Sequence, residues 1–126
     1  MADLISGVRY FSSFKNKDSR GSLLKIIGHD EFPELPFLLE EFFVSESSRG
    51  VVRGIHYQTG DAASSRVVSV LKGAIFDILV DLRDPSCPSQ ISQTLSAEEI
   101  SSVLIPPGVA HGYQVLEDAI VCYFSS

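Results

Sequence analysis

No apolar run in this chain approaches the ~20 residues a helix needs to cross a bilayer, so no membrane association is expected. Basic charge is scarce: 10 Lys and Arg stand against 16 Asp and Glu, a net charge of −6. General nucleic-acid binding requires a basic face to neutralise phosphates and is not expected. An anionic small ligand held by a few arginines is still permitted. Cysteine is nearly absent. Cys87 and Cys122 form no CxxC pair, and with no export signal they read as free thiols. Cys122 falls in an apolar strand and reads as packing. Cys87 sits in a Pro-Ser-Cys-Pro loop with nothing nearby to mark it as a nucleophile. Met1-Ala2-Asp3-Leu4 places no basic stretch before an apolar one, so a cytoplasmic protein is expected. There is no GxSxG, GxGxxG or phosphate loop, no repeat and no linker. Residues 1–126 are read as a single domain, long enough to bury one core.

Helical signal is also thin. Ser96-Ala97-Glu98-Glu99 has the form of a capping box and predicts a turn or two of helix before Ser101. Strand patterns fill the rest: 7–11, 22–27, 38–45, 51–57, 66–72, 74–82, 91–95, 102–105, 111–115 and 119–124. Turn chemistry separates them at Asp18-Ser19-Arg20-Gly21, Lys72-Gly73, Asp84-Pro85-Ser86 and Pro106-Pro107-Gly108. The clearest alternation sets Phe76, Ile78, Val80 and Leu82 on one face, opposite Asp77 and Asp81. Many short strands with frequent turns in one small domain predict an all-β jelly roll or sandwich.

Two clusters carry chemistry. Gly50 to Gln58 (GVVRGIHYQ) puts Arg53, Ile55 and Tyr57 on one side of an extended chain and His56 and Gln58 on the other. His56 is a candidate general base, although a lone strand histidine is more often a satisfied structural residue. Far along the chain, Ile105 to Tyr113 (IPPGVAHGY) delivers His111 and Tyr113 from a proline-glycine turn, and Tyr123 follows in an apolar strand. Two histidines and two tyrosines on strands suit a polar pocket inside a small barrel. His29, in a charged loop, reads as solvated, and Arg83 as structural. A metal is not expected. The HxH pair of metal-binding barrels is replaced by His56-Tyr57-Gln58, and His56 with His111 falls short of three protein ligands.

These pieces, with Asp18-Ser19-Arg20-Gly21, residues 73–83, Leu95-Ser96-Ala97-Glu98 and Tyr123, resemble the dTDP-4-dehydrorhamnose 3,5-epimerase family in order and spacing. The family is a branch of the cupin superfamily. The resemblance implies a double-stranded β-helix (cupin, jelly-roll) barrel, dimeric, with no metal and no cofactor. It implies an isomerase acting on a nucleotide-sugar substrate, a nucleotide-linked 4-keto-6-deoxy sugar, in deoxysugar and polysaccharide biosynthesis. By resemblance, His56 removes the proton beside the ketone and Tyr123 returns one on the opposite face. Arg20 and Arg53 contact the diphosphate, and His111 and Gln58 line the pocket.

Departures from the pattern bear on specificity. The lysine that helps hold the enolate oxygen is replaced in Ser64-Ser65-Arg66, so Arg66 is expected to take that place. Lys25 and Ser45-Glu46-Ser47 stand where the family contacts the nucleotide, which leaves the identity of the base open. The family pattern also runs beyond the late tyrosine into a segment bearing the aspartate that orients the base histidine. The sequence here ends at Ser126, either because the molecule is naturally short or because this is a fragment; if it acts as it stands, Asp77 is the expected substitute, ahead of Asp81. Two other classes fit the same residues. One is a 3,4-ketoisomerase or single-centre epimerase, and the other is a cupin that binds a sugar nucleotide without turning it over.

Overall fold

The computed structural model describes residues 5–28, 37–57 and 64–126; His29 and Gln58 lie outside them. Nine strands follow in order: β1 (Arg9–Phe11), β2 (Phe14–Asp18), β3 (Gly21–Lys25), β4 (Glu41–Ser47), β5 (Val52–His56), β6 (Arg66–Asp81), β7 (Ser89–Ser96), β8 (Ser102–Ile105) and β9 (Val109–Ser125). The described residues contain no helix. None is therefore long and apolar enough to cross a membrane.

The architecture turns on β6 and β9, which pair antiparallel from Arg66↔Ser125 to Asp81↔Val109, slipping register between Val70 and Ile75. Each contributes one half to each of two layers. In the first, β8 pairs with β6 and β4 with the C-terminal half of β9, giving the order β1-β8-β6-β9-β4. In the second, β7 pairs with the later half of β6, and β5 with the N-terminal half of β9. Inward side chains of both layers form one core: Val68, Val70, Val103, Ile105 and Val121 from the first, with Ile75, Leu79, Leu95, Tyr113 and Val115 from the second. This is a double-stranded β-helix, and the two-residue period of each strand is what keeps its apolar side on the core.

Several expectations are revised. Residues 66–72 and 74–82 are one strand, as are 111–115 and 119–124, because the register slip lets the chain bend between layers without leaving the ladder. Strand β2 gave no sequence signal, since all five of its residues are exposed and it needs no apolar alternation. Among the described residues it pairs only with β3, in a hairpin around the Asp18–Gly21 turn. Residues 97–100 form no helix, only a turn closed by the Glu99 amide donating to the Ser96 carbonyl at 3.4 Å. In β6 the core takes Ile75, Asp77 and Leu79 and leaves Phe76 exposed, so the aspartate-bearing face is the buried one.

Candidate active site

Strand β5 meets β9 with Arg53 opposite Tyr113 and His56 opposite His111, and the register slips between these pairs. Gly54 permits the slip. Its φ is +102°, and a Cβ there would stand 2.7 Å from the His111 carbonyl oxygen and 2.8 Å from Gly112 Cα. The glycine of the RGxH motif is therefore required by how closely the two strands approach. Across the barrel, β4 meets the other half of β9 with Phe43 opposite Tyr123, and the two rings stack at 4.5 Å between centroids.

Between these walls lies a cavity of about 550 Å³. Phe43, Ser45, Arg66 and Tyr123 line it from the first layer; Val52, Arg53, Gly54, His56, His111 and Tyr113 line it from the second. An imidazole and a phenol thus reach the same space from opposite layers. The lining carries two arginines and two histidines, a local excess of basic groups in an acidic chain.

Each side chain has a defined setting. Asp77 is fully buried and His111 is 4% exposed; Asp77 Oδ1 and His111 Nε2 are 2.5 Å apart. Burial pushes the Asp77 carboxyl above the usual carboxylate range, against the pull of His111 and Arg66. Its Oδ2 and Arg66 Nε find no hydrogen-bond partner among the described residues. Arg66 Nη2 donates to the Val109 carbonyl at 3.3 Å, and burial lowers the guanidinium's proton affinity against the fields of Asp77 and Tyr123. Arg53 Nε donates to Ser47 Oγ at 2.7 Å. The Tyr123 hydroxyl is hydrogen-bonded to that of Tyr113 and lies 3.4 Å from Ser45 Oγ. Burial drives the Tyr123 phenol well above its ordinary range, with Ser45 opposing and Tyr113 adding, so it is protonated at neutral pH.

Of the expected site residues, His56, Arg53, Arg66, His111 and Tyr123 share the cavity. Asp77 lies behind it and is bound to His111 rather than to His56. Because β9 stands between β6 and β5, and Asp77 is registered with Tyr113 while His56 is registered with His111, Asp77 and His56 are separated by two strand spacings and a further two-residue offset along the strands. Asp81 is held by Arg83, with Oδ1 to Nε and Oδ2 to Nη2 both at 2.9 Å. Neither aspartate orients His56, which corrects the expected substitution. Arg20 does not line the cavity: it sits on the exposed β2–β3 turn, where Nη2 pairs with Asp18 Oδ2 at 2.6 Å. Phe43 and Ser45 had no signal of their own, because only the β4–β9 pairing brings them to Tyr123. Among the described residues, no three His, Cys, Asp or Glu side chains are grouped to hold a metal.

A two-layer β-helix with a polar cavity between its layers defines a cupin barrel. Residues 3–126 match the sequence pattern of dTDP-4-dehydrorhamnose 3,5-epimerases, and the chain belongs to that family. It is similar to a dTDP-4-dehydrorhamnose 3-epimerase of Streptomyces niveus, 34% identical over 97% of this chain and 62% of that protein. A dTDP-4-dehydrorhamnose 3,5-epimerase of Shigella flexneri is 36% identical over 80% of this chain and 59% of its own length. A solved 3,5-epimerase of Legionella pneumophila, in complex with dTDP-4-keto-L-rhamnose, superposes with a TM-score of 0.83 at 29% identity. That match covers 99% of this chain and 69% of the other. The chain thus spans about three fifths of the two curated relatives, 62% and 59%.

Proposed function

We propose that this protein is an isomerase that inverts carbon centres beside the ketone of a nucleotide-linked 4-keto-6-deoxy sugar. The observation that carries this is a histidine and a protonated tyrosine reaching one cavity from opposite walls. Inversion needs a base on one face of the carbon and an acid on the other. His56 takes the proton from the carbon next to the ketone. Arg66 donates to the enolate oxygen as charge develops there. Tyr123 then gives a proton to the opposite face. Arg53 pairs its planar fork with diphosphate oxygens. The Asp77–His111 pair holds the His111 ring against the sugar, so Asp77 acts through His111. Arg20 and Gln58 keep their substrate contacts on the family resemblance alone.

The acting form is a cytoplasmic homodimer. Among the described residues, β4 is an edge strand that leaves Phe42 and Val44 55% and 49% exposed, and the β2–β3 hairpin joins no other sheet. An uncovered apolar edge and a lone hairpin are both stabilised by a second copy. Sedimentation at micromolar concentration should give a dimer; a monomer would defeat this part.

One observation favours a second reading, a sugar-nucleotide binder without turnover: no carboxylate contacts the His56 ring among the described residues. Product analysis with dTDP-4-keto-6-deoxyglucose separates the two. An epimerase converts it, and the number of inverted centres distinguishes single from double epimerisation. Saturable binding with unchanged sugar would establish the binder.

A further inference from the structure

Tyr113 has more chemistry than its place in the core requires. It is 4% exposed and packs in the main apolar cluster, where a phenylalanine ring would fill the same space. Its hydroxyl is nevertheless bonded to the Tyr123 hydroxyl, and Ser45 Oγ lies 3.2 Å from Tyr113 Oη and 3.4 Å from Tyr123 Oη. The three hydroxyls come from both layers and close a triangle at one wall of the cavity. Each can donate one hydrogen bond and accept others.

The arrangement matters at one moment of the reaction. When Tyr123 gives up its proton, a phenolate is left half-buried against the Phe43 ring, where burial disfavours charge. Two hydroxyl donors fixed beside that oxygen supply charge-assisted O–H···O⁻ bonds with no reorganisation.

We propose that Tyr113 and Ser45 are positioning residues for the second half of the inversion, aiming the Tyr123 O–H and holding its phenolate. This rests on the epimerase reading. In that scheme the C–H bond beside the ketone breaks, its proton goes to His56 and its electron pair to the enolate. The Tyr123 O–H then breaks as a new C–H bond forms on the opposite face. The phenolate accepts from Tyr113 and Ser45 until solvent returns a proton, while His56 releases its own to solvent. Proton abstraction needs neither hydroxyl; inversion needs both.

Tyr113→Phe preserves the ring and removes only the hydroxyl. In heavy water with dTDP-4-keto-6-deoxyglucose, two rates are read together: deuterium entering sugar returned with its original configuration, and formation of inverted sugar. Tyr113→Phe should leave exchange within about threefold of wild type and slow inversion by roughly 10²-fold, the scale of one lost oxyanion donor. KM should change little. Ser45→Ala should shift the same ratio less, since its contacts are longer. A merely structural role would slow both rates together, and that result would overturn the proposal, as would an unchanged ratio. Wild-type protein that neither exchanges nor inverts would instead defeat the epimerase reading and this proposal with it.

Discussion

Replacing Gly54 by alanine tests how the two clusters of the site are joined. The new Cβ would meet the His111 carbonyl oxygen at 2.7 Å and Gly112 Cα at 2.8 Å, both backbone atoms of β9 that cannot swing away. Its φ of +102° adds a conformational cost of about 1–3 kcal/mol for an L side chain. Overpacking against a strand adds about 1–3 kcal/mol more. Alanine's smaller unfolded-state entropy returns about 0.4–1 kcal/mol. The net loss is about 1–6 kcal/mol. Gly50 is the internal control, with φ +91° and nothing within 4 Å of its Cβ position, so Gly50→Ala carries the conformational cost alone. For a chain of this size, each kcal/mol lowers Tm by about 3–6 °C. Thermal unfolding followed by circular dichroism should show Gly54→Ala melting about 3–18 °C below Gly50→Ala, the share due to overpacking alone. If the two variants melt together, β5 does not approach β9 as described, and the placement of His56 beside His111 is wrong.

The Asp77 carboxyl provides a signed pH test. Its folded pKa is raised by burial, so its stability contribution is fully present below the unfolded carboxylate range and is lost as pH rises through the folded value. The stability gap between wild type and Asp77→Ala in urea titrations should therefore narrow as pH increases from acid through neutral; a widening gap would contradict the assignment. At neutral pH, Asp77→Ala should still cost about 1–3 kcal/mol, because it leaves the buried His111 Nε2 without its hydrogen-bond partner. The thiols should differ in the native protein: Cys87 is exposed, whereas Cys122 is buried with its thiol pushed up to about 11. A thiol reagent should label one cysteine at once and the second only in denaturant; rapid labelling of both would show that the core around Cys122 opens.

The sequence made legible what depends on local pattern. Alternation located most strands, and the segments around His56 and His111 were read as strands contributing to one polar pocket. What it hid depends on pairing. Asp77 looked like a partner for His56 because strand register alone cannot say which strand lies between them. The structure inserts β9, and the carboxylate meets His111 instead. The same pairing explains why Asp77 is buried in preference to Phe76: the interior offers the carboxylate a histidine, which a count of apolar residues does not see. Tyr113 was visible as a motif residue, but its hydroxyl gained meaning only when β6 and β9 bent between layers and brought it to Tyr123. Arg20 was legible only through its motif, and the hairpin holds it on an exposed turn paired with Asp18, outside the cavity of this chain.

The central claim is that His56 removes a proton from the carbon beside the sugar ketone. Mass spectrometry of dTDP-4-keto-6-deoxyglucose incubated with the protein in heavy water measures that step alone, whatever follows it. Wild-type protein should add deuterium at positions flanking the ketone, and His56→Ala should add none above the uncatalysed background. Exchange at the wild-type rate in His56→Ala, or no exchange with wild-type protein, would contradict the account.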